Sequence, residues 1–137
     1  MFENPGREER CALLRRVKTI AVVGLSPNAE RPSYAIAAAM QKAGYRIVPV
    51  RPGVTEVLGE KAYANLRDVD MAIDLVDVFR ASEFIDAIVD DCIALKLPAL
   101  WLQEGIVNEP AAQRARTAGM TVIMDRCIYR DYRRECV

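Results

Sequence analysis

Short apolar runs alternate along the chain with segments in which apolar side chains recur at helical spacing. Each short run is continuous rather than alternating, which is typical of strands buried on both faces. Five strands are predicted: Thr19–Val23, Arg46–Val50, Met71–Val76, Ala99–Leu102 and Met120–Met124. The helical spacing predicts four helices: Glu8–Val17, Ser33–Ala43, Ser82–Leu95 and Glu109–Ala118.

Residues that favour helix ends agree with these bounds. Asn108 is predicted to cap its helix, with Pro110 in the first turn and Gly119 just past the end. Ser33 is predicted to cap the helix that it begins. The alternation of strands and helices predicts an α/β fold. We expect a three-layer, doubly wound (Rossmann-like) sheet of five parallel strands in the order 3-2-1-4-5, with helices on both faces and the switch point beside the first strand.

Composition narrows the classes of function. The length of 137 residues and an apolar content of 52% predict one domain over residues 1–137, with its core at about 17–130. The 19 basic and 19 acidic residues balance, which argues against non-specific nucleic-acid binding and against a polybasic membrane patch. No apolar stretch approaches the roughly 20 residues that span a bilayer, and the N-terminus lacks a signal core. We therefore expect a cytoplasmic protein.

The reactive residue types are sparse. The chain has no histidine, which excludes a Ser-His-Asp triad and a histidine general base. The four cysteines are widely spaced, so neither a disulfide framework nor a metal site is predicted. Glu104 has no evident partner carboxylate, and we assign no catalytic residue. An enzyme is the less favoured interpretation.

The turn after the first strand is the strongest local signal. In a doubly wound sheet, ligands bind outside the carboxyl ends of the strands. The strand ends at Gly24, and a turn with Ser26 and Pro27 leads into a helix. We expect the backbone N–H groups of this turn to be free to bind an anion. The alternative, that Gly24 only forms the turn at the end of the strand and binds no ligand, stays open.

Arg51 suggests which anion. A typical NAD site has an acidic residue near the end of the second strand, whereas this chain has an arginine there, which attracts phosphate. A ligand with a phosphate on its ribose is therefore favoured, and coenzyme A and NADP both qualify. The second and third glycines of the dinucleotide motif are missing. Arg51 and Arg80 as solvated surface charges stay open.

Seven motifs in order resemble one family. They are Ala21–Pro27, Arg31–Tyr34, Gly44–Val50, Leu58–Lys61, Asp77–Arg80, Leu100–Ile106 and Met124–Cys127. The chain resembles the small bacterial CoA-binding proteins, stand-alone relatives of the CoA-binding domain of the succinyl-CoA synthetase alpha subunit. The resemblance implies a Rossmann-like fold that holds coenzyme A or an acyl-CoA.

The resemblance also implies contacts for each part of the ligand. Near the pyrophosphate it implies Gly24, Ser26 and Pro27, and near the 3′-phosphate Arg51. Bordering the adenine it implies Val76 and Phe79, and along the pantetheine Gln103, Glu104 and Gly105. Further candidates at the strand ends are Arg31, Ser33, Pro49, Arg80 and Cys127. Small relatives often have Pro-Val-Asn-Pro where this chain has Pro49–Pro52, with Arg51 replacing the asparagine.

Cys127 follows the fifth predicted strand, beside Arg126. A nearby cation raises the thiolate fraction, so Cys127 is a candidate for a mixed disulfide with the coenzyme thiol. A buried, inert cysteine is the alternative, and Cys136 is the other candidate for redox chemistry.

The function predicted first is non-catalytic binding of coenzyme A or an acyl-CoA, for storage, sensing or delivery. The alternatives are an NADP-linked oxidoreductase and a nucleotide-sensing partner subunit. The expected partner is a small-molecule coenzyme rather than nucleic acid or a membrane. A protein partner or a homo-oligomer stays open.

Overall fold

A computed structural model describes residues 2–137. Its main sheet has five parallel strands in the order β2-β1-β5-β6-β7. They are β1 (Thr19–Val23), β2 (Arg46–Val50), β5 (Leu75–Val78), β6 (Ala99–Leu102) and β7 (Thr121–Ile123). A small antiparallel hairpin precedes β5 and consists of β3 (Glu56–Val57) and β4 (Glu60–Lys61).

Within the described residues, five α-helices flank the sheet: α1 (Arg7–Arg16), α2 (Pro32–Lys42), α3 (Ile85–Ala94), α4 (Glu109–Thr117) and α5 (Ile128–Asp131). Short 3₁₀ helices at Leu66–Asp68 and Ser82–Phe84 precede β5 and α3, and a π-helix at Tyr132–Cys136 continues α5. No helix within residues 2–137 combines the length and the apolar character needed to cross a membrane.

Two apolar clusters lie on opposite faces of the sheet. One contains Leu13 of α1, Met40 of α2 and Ile128 of α5. The other contains Val89 of α3 and Ala112 of α4. Helices therefore cover both faces, and the predicted three-layer α/β class is confirmed.

The predicted strand order 3-2-1-4-5 was wrong, because the third predicted strand lies beside β1 and not beside β2. The outer edge of β2 is already occupied. Tyr63 accepts a hydrogen bond from Arg51 N (2.8 Å) and donates one to Pro49 O (2.9 Å). The chain then returns to the free edge of β1. The switch point is beside β1, as predicted, but its other wall is β5.

The third strand also begins later than predicted. Met71 and Ile73 are apolar but pack against the α3/α4 cluster from a loop. Asp74 accepts hydrogen bonds from the backbone N–H groups of Lys18 and Thr19, both at 2.9 Å. This contact sets the register, in which Leu75 is the first β5 residue and pairs with Ile20. As a result the strand ends at Val78 and not at Val76.

The predicted N-cap residue is observed at one helix but not at another. The Asn108 side chain accepts from Ala111 N at 3.1 Å, as predicted for the N-cap of α4. Ser33 does not cap α2, because Arg31 is at the N-cap position and Pro32 is at the first helical position. The Ser33 hydroxyl is therefore available to the preceding turn.

The C-terminal segment (residues 126–137) is helical over residues 128–136 and folds back on α1. Within it, Cys136 forms a disulfide with Cys11 of α1, with a Cα–Cα distance of 5.1 Å. No disulfide framework was predicted from the cysteine spacing. The two cysteines are 125 positions apart, so only the packing of the chain ends brings them together.

Candidate functional site

A cleft of about 880 Å³ opens at the carboxyl ends of the strands, at the switch point between β1 and β5. We call it the switch-point cleft. It is lined by Gly24, Arg31, Pro32, Ser33, Ile36, Arg51, Pro52, Phe79, Arg80, Ala81, Gln103, Glu104, Ile106, Cys127 and Arg130.

Gly24 forms the floor of the cleft where β1 ends. Its φ of +86° is in the left-handed region that favours glycine. A Cβ atom at this position would lie 2.7 Å from the Phe79 carbonyl oxygen. The backbones at the ends of β1 and β5 therefore approach each other only because residue 24 has no side chain.

The turn after Gly24 folds onto its own side chains. Ser26 N donates to the Ser33 hydroxyl at 3.0 Å, and Asn28 N donates to the Ser26 hydroxyl at 3.1 Å. Glu30 N donates to Asn28 Oδ1 at 2.9 Å. The expectation that the backbone N–H groups of this turn are free was therefore wrong for these three. Its serine and asparagine side chains rigidify the turn and take up donors that an anion would otherwise use.

Four arginines surround the cleft instead. Arg51 donates to Gly24 O at 3.2 Å, so its guanidinium lies across the end of β1. The guanidinium of Arg80 stacks on the Phe84 ring at 4.1 Å from the ring centroid. Arg31 lines the cleft at the start of α2. These three positions make the cleft strongly cationic on the side of β1 and β5.

The fourth arginine is paired. Arg130 Nη1 donates to Glu104 Oε2 at 2.8 Å across the mouth of the cleft. This hydrogen bond holds the pKa of the Glu104 carboxyl below its ordinary value and raises the pKa of Arg130. The cleft is therefore close to neutral on the side of β6 and α5.

Gln103 and Cys127 complete that side. Gln103 is buried, and its Oε1 accepts from Ile128 N at 3.2 Å at the start of α5. Cys127 is at the N-cap of α5 with a free thiol. The Arg126 guanidinium, which was expected to act on this thiol, is bound to Asp131 at 2.6 Å.

Asp77 lies beneath the floor, inside β5 and not in the turn after it. It pairs with Val22 on one side and Trp101 on the other. Its side chain is buried, and Oδ1 has no hydrogen-bond partner among residues 2–137. Burial raises the pKa of Asp77 well above its ordinary value. Burial therefore favours the protonated form of this carboxyl over the charged form.

The structure brings most of the predicted site residues together. Those that line the cleft are Gly24, Arg31, Ser33, Arg51, Phe79, Arg80, Gln103, Glu104 and Cys127. Ser26, Pro27 and Gly105 lie in turns next to it. Pro49 and Val76 are buried inside β2 and β5 and do not line it. Val76 was expected to border the adenine from the family resemblance, but β5 continues to Val78 and keeps Val76 inside the sheet.

Some lining residues were not predicted from the sequence, namely Pro32, Ile36, Pro52, Ala81, Ile106 and Arg130. Ile36 lies one helical turn after Ser33, so helical spacing could have indicated it. Arg130 lies three residues after Cys127 on α5, a helix that is not among the four predicted from the sequence.

Comparison with known proteins decides the family. The family model described as "CoA binding domain" matches residues 18–133, most of the chain. The chain belongs to this family.

Two proteins that are similar to this chain span about the same length. The uncharacterized protein YneT of Bacillus subtilis (strain 168) is 45% identical over 127 residues, 93% of this chain and 94% of that protein. The structure of a hypothetical protein from Pyrococcus horikoshii OT3 is 31% identical, with a TM-score of 0.91, and covers 98% of this chain and 99% of that one.

A longer protein contains a similar region. The chain is 25% identical over 87 residues to an ADP-forming acetate–CoA ligase of Methanocaldococcus jannaschii, 64% of this chain but 12% of the ligase. The match therefore concerns one part of the ligase.

Proposed function

We propose that the chain binds coenzyme A or an acyl-CoA without catalysing a reaction, and stores, senses or delivers it. The observation that carries this proposal is the set of four arginines around a cleft at the switch point. Membership of the CoA-binding family supports it. The proposed place of action is the cytoplasm.

Charge distribution supports a ligand with several phosphates at one end. Arg31, Arg51 and Arg80 line the cleft on the side of β1 and β5, while Glu104 is already paired with Arg130. Arg51 is proposed to bind the 3′-phosphate, since a guanidinium binds phosphate in a bidentate manner. Arg31 and Arg80 are proposed to bind the pyrophosphate, because N–H groups of the turn donate internally.

The rest of the cleft suits the uncharged parts of the ligand. Phe79 and Ile36 offer apolar contacts to adenine. Gln103 and Glu104 offer polar contacts to the amides of pantetheine. The thiol end of the coenzyme would then approach Cys127, which lines the same side.

We test the ligand by calorimetry with coenzyme A and dephospho-coenzyme A. Arg51→Glu should weaken coenzyme A binding by about 1.5–3 kcal/mol, roughly tenfold to a hundredfold. The guanidinium that is proposed to bind the 3′-phosphate is replaced by a carboxylate, which repels that phosphate. The substitution should affect dephospho-coenzyme A far less. Arg16→Glu, which changes an exposed charge on α1 outside the cleft, is the matched control. Equal affinity of wild type and Arg51→Glu for coenzyme A would contradict the assignment, and selective retention of NADP would favour an oxidoreductase.

A mixed disulfide is the finer part of the proposal. The Cys127 thiolate attacks one sulfur of coenzyme A disulfide, forms a protein–coenzyme disulfide and releases the other coenzyme as its thiolate. Mass spectrometry after incubation with coenzyme A disulfide should detect one adduct that a reductant removes. Cys127→Ser should form none, and an adduct that persists in this variant would assign the chemistry to another cysteine.

A further inference from the structure

The C-terminal segment connects the cleft to the disulfide. Cys127 and Arg130, near its start, line the switch-point cleft. Cys136, near its end, is bonded to Cys11 of α1. Residues 128–136 form one continuous helical stretch between these points. A change at Cys136 therefore acts on the same element that forms a wall of the cleft.

Polar contacts hold both ends of this segment. Near the cleft, Asp131 binds Arg126 at 2.6 Å and Arg10 at 3.4 Å, and Ile128 N donates to Gln103. Near the end, the Glu135 carboxylate binds Arg10 at 2.6 Å and Arg126 at 3.0 Å, and the Glu135 carbonyl oxygen accepts from Arg7 at 3.3 Å. The disulfide is the covalent link between this outer part and α1.

The disulfide can be reached from one side. Cys11 is only 3% exposed, whereas Cys136 is half-buried and lines a second cavity of about 330 Å³. Arg15 and Lys18 line the same cavity and attract an incoming thiolate. Attack on the Cys136 sulfur is therefore favoured over attack on that of Cys11.

We propose that Cys11–Cys136 is a redox-reversible tether that holds the wall of the cleft in place. A dithiol reductant attacks Cys136 Sγ through one thiolate and forms a mixed disulfide, and Cys11 leaves as a thiolate. The second thiol of the reductant closes its own disulfide and releases Cys136. Cys11 and Cys136 each take up one proton, and the reductant supplies both electrons.

Loss of this link is expected to loosen residues 128–136 and to lower coenzyme A affinity. The second effect rests on the proposed function, whereas the first does not. In cytosolic proteins a disulfide is more often a redox-sensing element than a permanent staple, which fits a reversible tether.

Hydrogen exchange of the backbone amides tests the tether without a ligand. Protein verified by mass spectrometry to contain the disulfide is compared with the same protein after dithiothreitol treatment. Amides of residues 128–136 should exchange at least about tenfold faster after reduction, while those of β1 and β5 should change little. Unchanged exchange after verified reduction would overturn the proposal. So would four alkylatable thiols in protein that is purified without reductant and denatured before alkylation, since buried Cys92 reacts only then.

Two variants separate the contributions of the cysteines. The double variant Cys11→Ser/Cys136→Ser should exchange rapidly whether or not dithiothreitol is present. Cys127→Ser should keep the wild-type response to dithiothreitol, and a loss of that response would overturn the proposal. If the double variant does not fold, the oxidised and reduced wild-type proteins still give the result.

Calorimetry with coenzyme A then tests the connection to the cleft. Reduction should weaken binding roughly fivefold or more, because the wall must be ordered when the ligand binds. Equal affinity in both redox states, with faster exchange in the reduced one, would overturn the connection. If neither state binds coenzyme A, the proposed function fails while the exchange experiment still decides the tether.

Discussion

The two sides of the switch-point cleft are built differently. The β1–β5 side presents Arg31, Arg51 and Arg80 on a floor of close backbone contacts. The β6–α5 side presents one arginine that is already neutralised by Glu104. A rigid cationic side and a nearly neutral side match a ligand with its phosphates at one end. This asymmetry distinguishes the cleft from a general anion site.

Two buried aspartates repeat the contrast. Asp77, under the β1–β5 side, has an oxygen with no hydrogen-bond partner in the part of the chain that the structure describes. Asp131, on the β6–α5 side, has ion pairs with Arg126 and Arg10. Because a buried carboxylate is favourable only when it is paired, we expect the same aspartate-to-asparagine substitution to have opposite effects at the two positions.

The largest expected effect is that of Asp131→Asn. Removing the carboxylate breaks the buried pairs of Asp131 and leaves Glu135 as the remaining ion-pair partner of Arg126 and Arg10. The free energy of unfolding should fall by about 3 kcal/mol, the low end for a broken buried pair, because Glu135 still binds both arginines. Urea denaturation at pH 7 measures this change. A loss below about 1 kcal/mol would mean that the pairs on this side are no stronger than surface ion pairs.

Gly24→Ala should have the next largest effect on the free energy of unfolding. The new Cβ would lie 2.7 Å from the Phe79 carbonyl oxygen in a left-handed conformation, so we expect a loss of about 2–3 kcal/mol. Gly105→Ala is the matched control, since Gly105 has a φ of +88° but no atom within 4 Å of the point that a Cβ would occupy. This control should lose about 1 kcal/mol, the cost of the left-handed backbone alone. Equal losses would show that the close approach of β1 and β5 is unimportant.

Asp77→Asn should change stability in a pH-dependent way. Since the pKa of Asp77 is raised in the folded state, the wild type loses stability as the pH rises from the unfolded pKa toward the folded one. Each pH unit in that window costs about 1.4 kcal/mol, and the amide variant avoids this loss. Urea denaturation at a series of pH values from 4 to 8 should show that the free energy of unfolding of the variant, relative to that of the wild type, increases as the pH rises. Parallel curves would contradict the assignment.

Glu104→Gln should have the smallest effect. It releases Arg130 and makes the β6–α5 side cationic, so coenzyme A should bind roughly two- to fivefold more tightly at low salt. At high salt the gain should disappear, because exposed charges are screened. Calorimetry with coenzyme A at a low and a high salt concentration measures both effects. An increase in affinity that is the same at high salt would contradict the explanation by charge.

Sequence patterns predicted the parts of the molecule that local physics controls. Continuous apolar runs predicted β1, β2 and β6 with their observed bounds. The run from Met71 was misassigned because apolar side chains pack equally well from a loop. Only the hydrogen bonds from Lys18 and Thr19 to Asp74 show where the strand begins.

The site residues were predicted where a residue that directly follows one strand indicates the site, as Gly24 and Arg51 do. They were missed where two distant parts of the chain meet. Arg130 reaches the cleft because the C-terminal segment folds against α1, and the Cys11–Cys136 pair has the same cause. No periodicity or residue spacing in the sequence indicates either of these two contacts.

The stretch around Tyr63 has one more consequence, for the behaviour of concentrated protein. An open sheet edge invites strands from other molecules to add to it and to begin aggregation. At β2, Tyr63 takes the hydrogen bonds of Pro49 and Arg51, and Pro49 has no N–H to offer. Two copies therefore cannot readily extend their sheets through this end of β2. The same contact that redirects the chain to β1 closes this part of the sheet edge to strands from other molecules.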